Sequence, residues 1–180
     1  MFSQGCALVA SMLLCHAAET PEVPPPFKCA IFICGGVQLA ILEDLGVDVT
    51  SEAREWDERS KKGLQEMAGT EAIVSRGADR WTTGPHVNSF DPNAETKAED
   101  VFGLDFTRMP KGLKIRIPTV HVFGSMDPRF PASTQLAWFC DERVRRMFDH
   151  GGGHDVPRRK DVSEGIAGLV EWAAVMGKKF

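Results

Sequence analysis

Three side chains of this sequence could together break an acyl bond: Ser3, Asp127 and His154. A serine hydroxyl is too weak an acid to attack a carbonyl unaided. A histidine must take its proton, and a buried carboxylate must fix the tautomer of that histidine and stabilise the imidazolium. Ser3 stands in Met1-Phe2-Ser3-Gln4-Gly5, which matches the G-x-S-x-G nucleophile elbow except that Met1 occupies the place of the first glycine. An elbow serine opens a helix, where backbone N–H groups are free, so the N–H of Gln4 is the expected oxyanion donor. Asp127 precedes Pro128, and His154 closes the run His150-Gly151-Gly152-Gly153-His154. Singly, each has a plainer reading: Ser3 as a helix cap, Asp127 as a turn residue, His154 as a structural loop histidine. Their order and their placement after regular elements point instead to acyl transfer.

Those elements follow from the hydrophobic pattern. Gly5 to Ala17 is apolar nearly all round and predicts a central helix buried on several sides. Phe27 to Cys34, ending in Gly35-Gly36, predicts a strand buried on both faces, and Ile115 to Gly124 a second one. Pro131 opens a helix through about Cys140, with Leu136, Ala137 and Cys140 on one face. A short strand near Arg145 to Asp149 leads into the glycine-rich loop. The last helix, about Asp161 to Val175, carries Val162, Ile166, Leu169, Val170 and Ala173 on one stripe. The order predicts an α/β fold, a parallel sheet with flanking helices and right-handed crossovers, whose ligands gather at the carboxyl ends of the strands. The chain order Ser, Asp, His is that of α/β-hydrolases.

From about 46 to 114 the periodicity weakens, charges accumulate and Trp56, Trp81, Phe90, Phe102 and Phe106 are scattered. This segment reads as an insertion with one or two helices within a single domain spanning 1–180. Two roles are open for it: a solvated face with aromatic rings filling gaps beneath loops, or a cap over a substrate cleft. Under the cap reading the rings favour an apolar acyl group, and Trp81→Ala raises KM for long acyl chains more than for acetate.

Composition narrows the class. With 180 residues, 43% hydrophobic and 26% charged, the chain is of ordinary globular type. A formal net charge of -4 and the absence of a dense Lys/Arg run give no footprint for nucleic acid or an anionic membrane. The nearest basic cluster, Arg143, Arg145 and Arg146, reads as the exposed lead-in to a strand. Cys6, Cys15, Cys29, Cys34 and Cys140 lack paired C-x-x-C spacing and read as reduced, buried, inert thiols of a cytoplasmic protein. Residues Cys6 to Leu14 followed by Cys15-His16-Ala17-Ala18 imitate a signal peptide, but no Lys or Arg precedes them, and cleavage there would remove Ser3.

Four segments carry a resemblance: Phe2 to Ala7, Phe27 to Gly36, Ile117 to Gly124 with Asp127-Pro128, and His150-Gly151-Gly152-Gly153-His154-Asp155-Val156-Pro157-Arg158. Together they resemble the fungal family of serine hydrolases, especially the esterases and thioesterases found beside polyketide synthases. The resemblance implies Ser3 as nucleophile, Asp127 as carboxylate and His154 as base, with no role for His150 or Asp155. It implies no metal and no organic cofactor. As substrate it implies a small-molecule ester or a polyketide thioester on a carrier domain of the synthase. Members of that family also carry strands and an oxyanion loop ahead of the elbow. The expectation is therefore a partial α/β-hydrolase fold lacking the N-terminal strands, a truncated form with weak activity or none.

Two other readings stand beside it. One is a catalytically dead remnant that binds an acyl ligand in the cleft or pairs its strand edge with another chain. The other is a metal site built from His150, His154 and Asp155, which Gly151, Gly152 and Gly153 oppose because they disfavour the helix that i, i+4 ligation needs.

Overall fold

The computed structural model describes residues 1–82 and 90–179, so residues 83–89 of the expected insertion lie outside the described residues. Three parallel strands, β1 (Ala30–Ile33), β2 (Thr119–Phe123) and β3 (Arg145–Asp149), form a sheet in the order β1-β2-β3. Helices α1 (Gln4–Glu19), α2 (Leu39–Asp44), α3 (Ser51–Ala68), α4 (Thr70–Arg76), α5 (Phe130–Trp138) and α6 (Lys160–Gly177) surround it. The expected α/β arrangement is therefore present. The strands are shorter than their apolar runs. Pro118, just ahead of β2, has no N–H to give, and only its carbonyl joins the ladder, accepting from Ala30 N–H at 3.0 Å.

Alternation along the strands separates two cores. Ala30 and Phe32 face a layer built from Cys6, Ala10, Leu13 and Leu14 of α1 and Leu136 of α5. Ile31, Ile33, Val120 and Val122 face Ile166, Leu169 and Ala173 of α6. The stripe read from the sequence is thus the buried face of α6, although its Val170 stays outside and is 40% exposed.

α1 departs from its expectation. Cys6, Ala10, Leu13 and Leu14 are buried, but Leu8 is 70% exposed and Met12 is open too. It packs by one side on one face of the sheet, so its all-round apolarity does not translate into all-round burial. The segment that could imitate a signal peptide lies within this helix. Among the described residues no helix is long and apolar enough to cross a membrane.

Residues 46–114 contain α3, α4 and two 3-10 turns, at Gly77–Trp81 and Phe106–Arg108. Thr50 caps α3, its hydroxyl accepting from Ala53 N–H at 3.0 Å and donating to Gly103 O at 2.7 Å. The aromatic rings gather beneath this segment: Phe102 packs edge-on against Trp56 and Phe130, and Phe90 stacks on Phe130.

Candidate active site

Residues Met1 to Ser3 run beside β1 as an extra strand. Met1 N donates to Ile31 O at 2.8 Å, Ile33 N–H to Met1 O at 3.0 Å, and Ser3 N–H to Ile33 O at 3.0 Å. The chain then turns sharply into α1 at Gln4. Ser3 holds the turn with φ 51° and ψ −119°, a conformation that an L-residue adopts only under constraint. Strand, strained serine and helix are the parts of a nucleophile elbow. In the first turn of α1, Gly5 N–H and Cys6 N–H are taken by Phe2 O and Ser3 O. Gln4 N–H keeps no backbone acceptor among the described residues, and Gln4 lines the same cleft as Ser3.

Two loops at the carboxyl ends of β2 and β3 bring the partners. His154 Nδ1 lies 2.8 Å from Asp127 Oδ2, and His154 Nε2 lies 2.8 Å from Ser3 Oγ. With Nδ1–H donated to the carboxylate, Nε2 carries the lone pair that accepts the serine proton. Asp127 is fully buried, yet both its oxygens have donors, because Arg129 N–H donates to Oδ1 at 2.8 Å. The Phe2 ring packs on the imidazole at 5.2 Å. All three residues singled out from the sequence thus meet in one hydrogen-bonded chain.

The two loops are stitched to each other through backbone N–H groups, which find a carbonyl and the carboxylate of Asp149. Met126 N–H donates to Gly152 O, and Asp149 Oδ1 accepts from both Ser125 N–H and Gly151 N–H. Gly124 is a glycine of necessity: a Cβ there would overlap Gly152 O. The same holds at Gly153, where a Cβ would overlap the indole of Trp81. Trp81 is buried against this loop and is not among the residues lining the cleft. The expectation that Trp81 contacts an acyl chain is thereby corrected, since its apolar surface leaves water by covering the glycine backbone beside His154.

Sequence reasoning missed two further groups. Cys34, free and buried as expected, has φ 47° and lies under the His154 loop, its Sγ 3.5 Å from Asp155 O and 3.9 Å from Gly153 O. Burial and the neighbouring Asp127 carboxylate push its thiol far above the usual range, so it stays protonated and able to donate. Its place directly after a strand was the available signal. Arg129 is the second group. Its guanidinium reaches α3, with Nη1 at 2.8 Å from Asp57 Oδ1 and 2.7 Å from Ser60 Oγ.

Above Ser3 and His154 opens a cleft of about 780 Å³, floored by Gly35 to Leu39 and roofed by α3 through Asp57, Lys61, Leu64 and Gln65. Its roof is charged, not aromatic. Among the described residues, one group of three possible metal ligands comes within 4.8 Å: Cys34, Asp127 and His154. Two of these are already engaged with each other and with Ser3 and Arg129, while His150 faces Cys34 Sγ at 4.0 Å.

The model of the family described as "Serine hydrolase (FSH1)" matches residues 1–166. The chain belongs to this family of serine hydrolases. Curated relatives of this FSH1 chain come from fungi. It is 28% identical to "Esterase alnB" of Emericella nidulans, over 99% of the chain and 66% of that protein. It is 31% identical to "Hydrolase FUB4" of Fusarium oxysporum, over 94% of the chain and 63% of that protein. To "Serine hydrolase cnsH" of Penicillium expansum it is 27% identical, over 95% of the chain and 74% of that protein. The chain thus spans about two thirds of the length of the first two relatives. No solved structure matches it.

Proposed function

We propose that this FSH1 chain is a serine esterase that works through an acyl-enzyme, with Ser3 as nucleophile, His154 as general base and acid, and Asp127 as the carboxylate that orients it. The observation that carries this reading is the continuous hydrogen-bonded chain from Ser3 Oγ through both imidazole nitrogens to the buried Asp127. His154 Nε2 takes the serine proton as Oγ attacks the acyl carbonyl. The carbonyl oxygen becomes an oxyanion facing Gln4 N–H, and the imidazolium that forms is stabilised by Asp127. His154 then protonates the leaving alcohol. Water enters, gives its proton to Nε2 and attacks the acyl carbon, releasing the acid and restoring Ser3.

Hydrolysis of a thioester follows the same course with a thiol as leaving group. The finer reading is a carrier-bound polyketide thioester in fungal secondary metabolism, for which the cleft offers room. We further propose one hydrolase domain over residues 1–180 with the insertion at 46–114, and a cytosolic setting, to which the free cysteines lend support.

The test is labelling by a fluorophosphonate probe read by intact mass. We expect one adduct on the parent chain and none on Ser3→Ala or His154→Ala. A folded parent that takes no probe overturns the proposal and favours a module that only binds an acyl ligand in the cleft.

A further inference from the structure

Arg129 touches three parts of the site at once. Its main-chain N–H donates to Asp127 Oδ1 at 2.8 Å. Nη1 of its side chain donates to Asp57 Oδ1 at 2.8 Å, Asp57 O at 3.2 Å and Ser60 Oγ at 2.7 Å, all on α3. Its other arm, Nη2, lies against Gly36 on the cleft floor, 3.4 Å from where a Cβ would stand. Both members of the Arg129–Asp57 pair are largely out of water, with side chains 14% exposed. Removing Asp57 leaves Arg129 without its counter-charge in a place that solvates it poorly, whereas Asp57 without Arg129 keeps Lys61, one turn on along α3 and 2.6 Å away.

The rest of α3 is held differently. Its first turn is fixed by Thr50 and Gly103, and Trp56 packs on Phe102. Beyond Asp57 the helix runs on over the cleft, where Lys61, Leu64 and Gln65 form the roof. Gly63 and Met67 bury the opposite side of that part, so losing the Arg129 link would leave α3 folded and packed but remove the polar tie of its middle turns to the loop carrying Asp127.

We propose that Arg129 is a positioning residue that locks the roof helix α3 to the loop carrying Asp127, and thereby sets the preference of the site for acyl groups long enough to reach that roof. The proposal rests on the esterase reading for its kinetic arm only. A short acyl group remains near Ser3 and never meets Lys61, Leu64 or Gln65. A longer one is held between floor and roof, and its binding depends on where α3 stands.

The experiment compares the parent with Arg129→Met, Arg129→Lys and Asp57→Asn, each of which keeps the main-chain N–H to Asp127. Hydrogen exchange along residues 58–68 should quicken in Arg129→Met and Asp57→Asn, and recover in part in Arg129→Lys. With acetyl and decanoyl esters of one alcohol, KM for the decanoyl ester should rise about tenfold in Arg129→Met, the acetyl KM moving much less and the two kcat values moving together. Unchanged exchange in both Arg129→Met and Asp57→Asn overturns the lock. Equal rises in both KM values, or a loss confined to kcat, overturn the link to acyl length. Should the parent show no esterase activity, the exchange comparison still decides the lock, which separates its failure from that of the functional reading. Asp57→Asn covers the case in which Arg129→Met does not fold.

Discussion

The cleft is bounded by two regions that keep their shape by different means. On the sheet side, the loops carrying Asp127 and His154 are fastened by their backbone N–H groups, bonded to Gly152 O and the Asp149 carboxylate, and by glycines packed against a carbonyl and an indole. On the roof side, the middle of α3 is fastened to the loop carrying Asp127 by side-chain charge, through Arg129 and Asp57. Backbone contacts of the first kind tolerate no added atom, whereas a charged link can be cut by one substitution and leave its helix folded. Such a difference suits a site whose reacting groups need fixed distances while its walls meet the variable part of a substrate.

The sharpest way to break this comparison is Gly124→Ala. The new Cβ would overlap Gly152 O and push apart the loops that hold Asp127 and His154. We expect probe labelling of Ser3 to fall at least ~100-fold, since displacements near 1 Å cost that much at a reacting centre. Gly168→Ala in α6, where a Cβ meets nothing, is the matched control and should label like the parent. Next in size is Trp81→Ala. It removes a buried indole from the His154 loop, so it should cost about 3 kcal/mol or more in chemical denaturation. Labelling by small probes should slow as well. A variant that kept full stability and lost only long-chain substrates would return Trp81 to the cleft.

Asp127 and His154 were legible because each follows an element whose apolar pattern is plain, and Ser3 because it opens the apolar run of α1; a parallel sheet brings such ends together. The α/β order and the buried face of α6 were legible for the same reason. The linkages that hold the site were not. Arg129 bonds to Asp57, 72 residues away, and Cys34 lies under residues more than a hundred positions later. No local period marks such pairs. The aromatic rings of the insertion misled in another way: large apolar surface is recognisable in a sequence, but whether it faces a cleft or a neighbouring ring is decided by packing. For α1, hydropathy reported what the helix could bury, not how many neighbours it has.

Acid should separate the two regions, with effects smaller than those of the substitutions above. His121 of β2 is wholly buried against Phe32 and bonded to Thr119, and burial, with Arg145 nearby, lowers its pKa to about 3. Because the unfolded imidazole takes a proton near pH 6.5, the stability held in this neutral histidine is complete above that pH. It is lost as the pH falls toward 3, by about 1.4 kcal/mol per unit. Asp57 behaves otherwise. Burial raises its pKa, but hydrogen bonds from Lys61 and Arg129 outweigh burial and hold the carboxyl below its usual value. Its contribution therefore persists down to the ordinary carboxylate pKa, ~4, and fades only below that. Between pH 7 and 5 the chain should lose ~2 kcal/mol on account of His121, and His121→Gln should flatten that loss in denaturation curves taken at the two pH values. Opening of residues 58–68, taken from hydrogen exchange after removal of its intrinsic pH dependence and of the global change, should stay constant over the same interval. If it rose between pH 7 and 5, the roof would be coupled to the sheet through the His121 region, and the two means of fastening would not be independent.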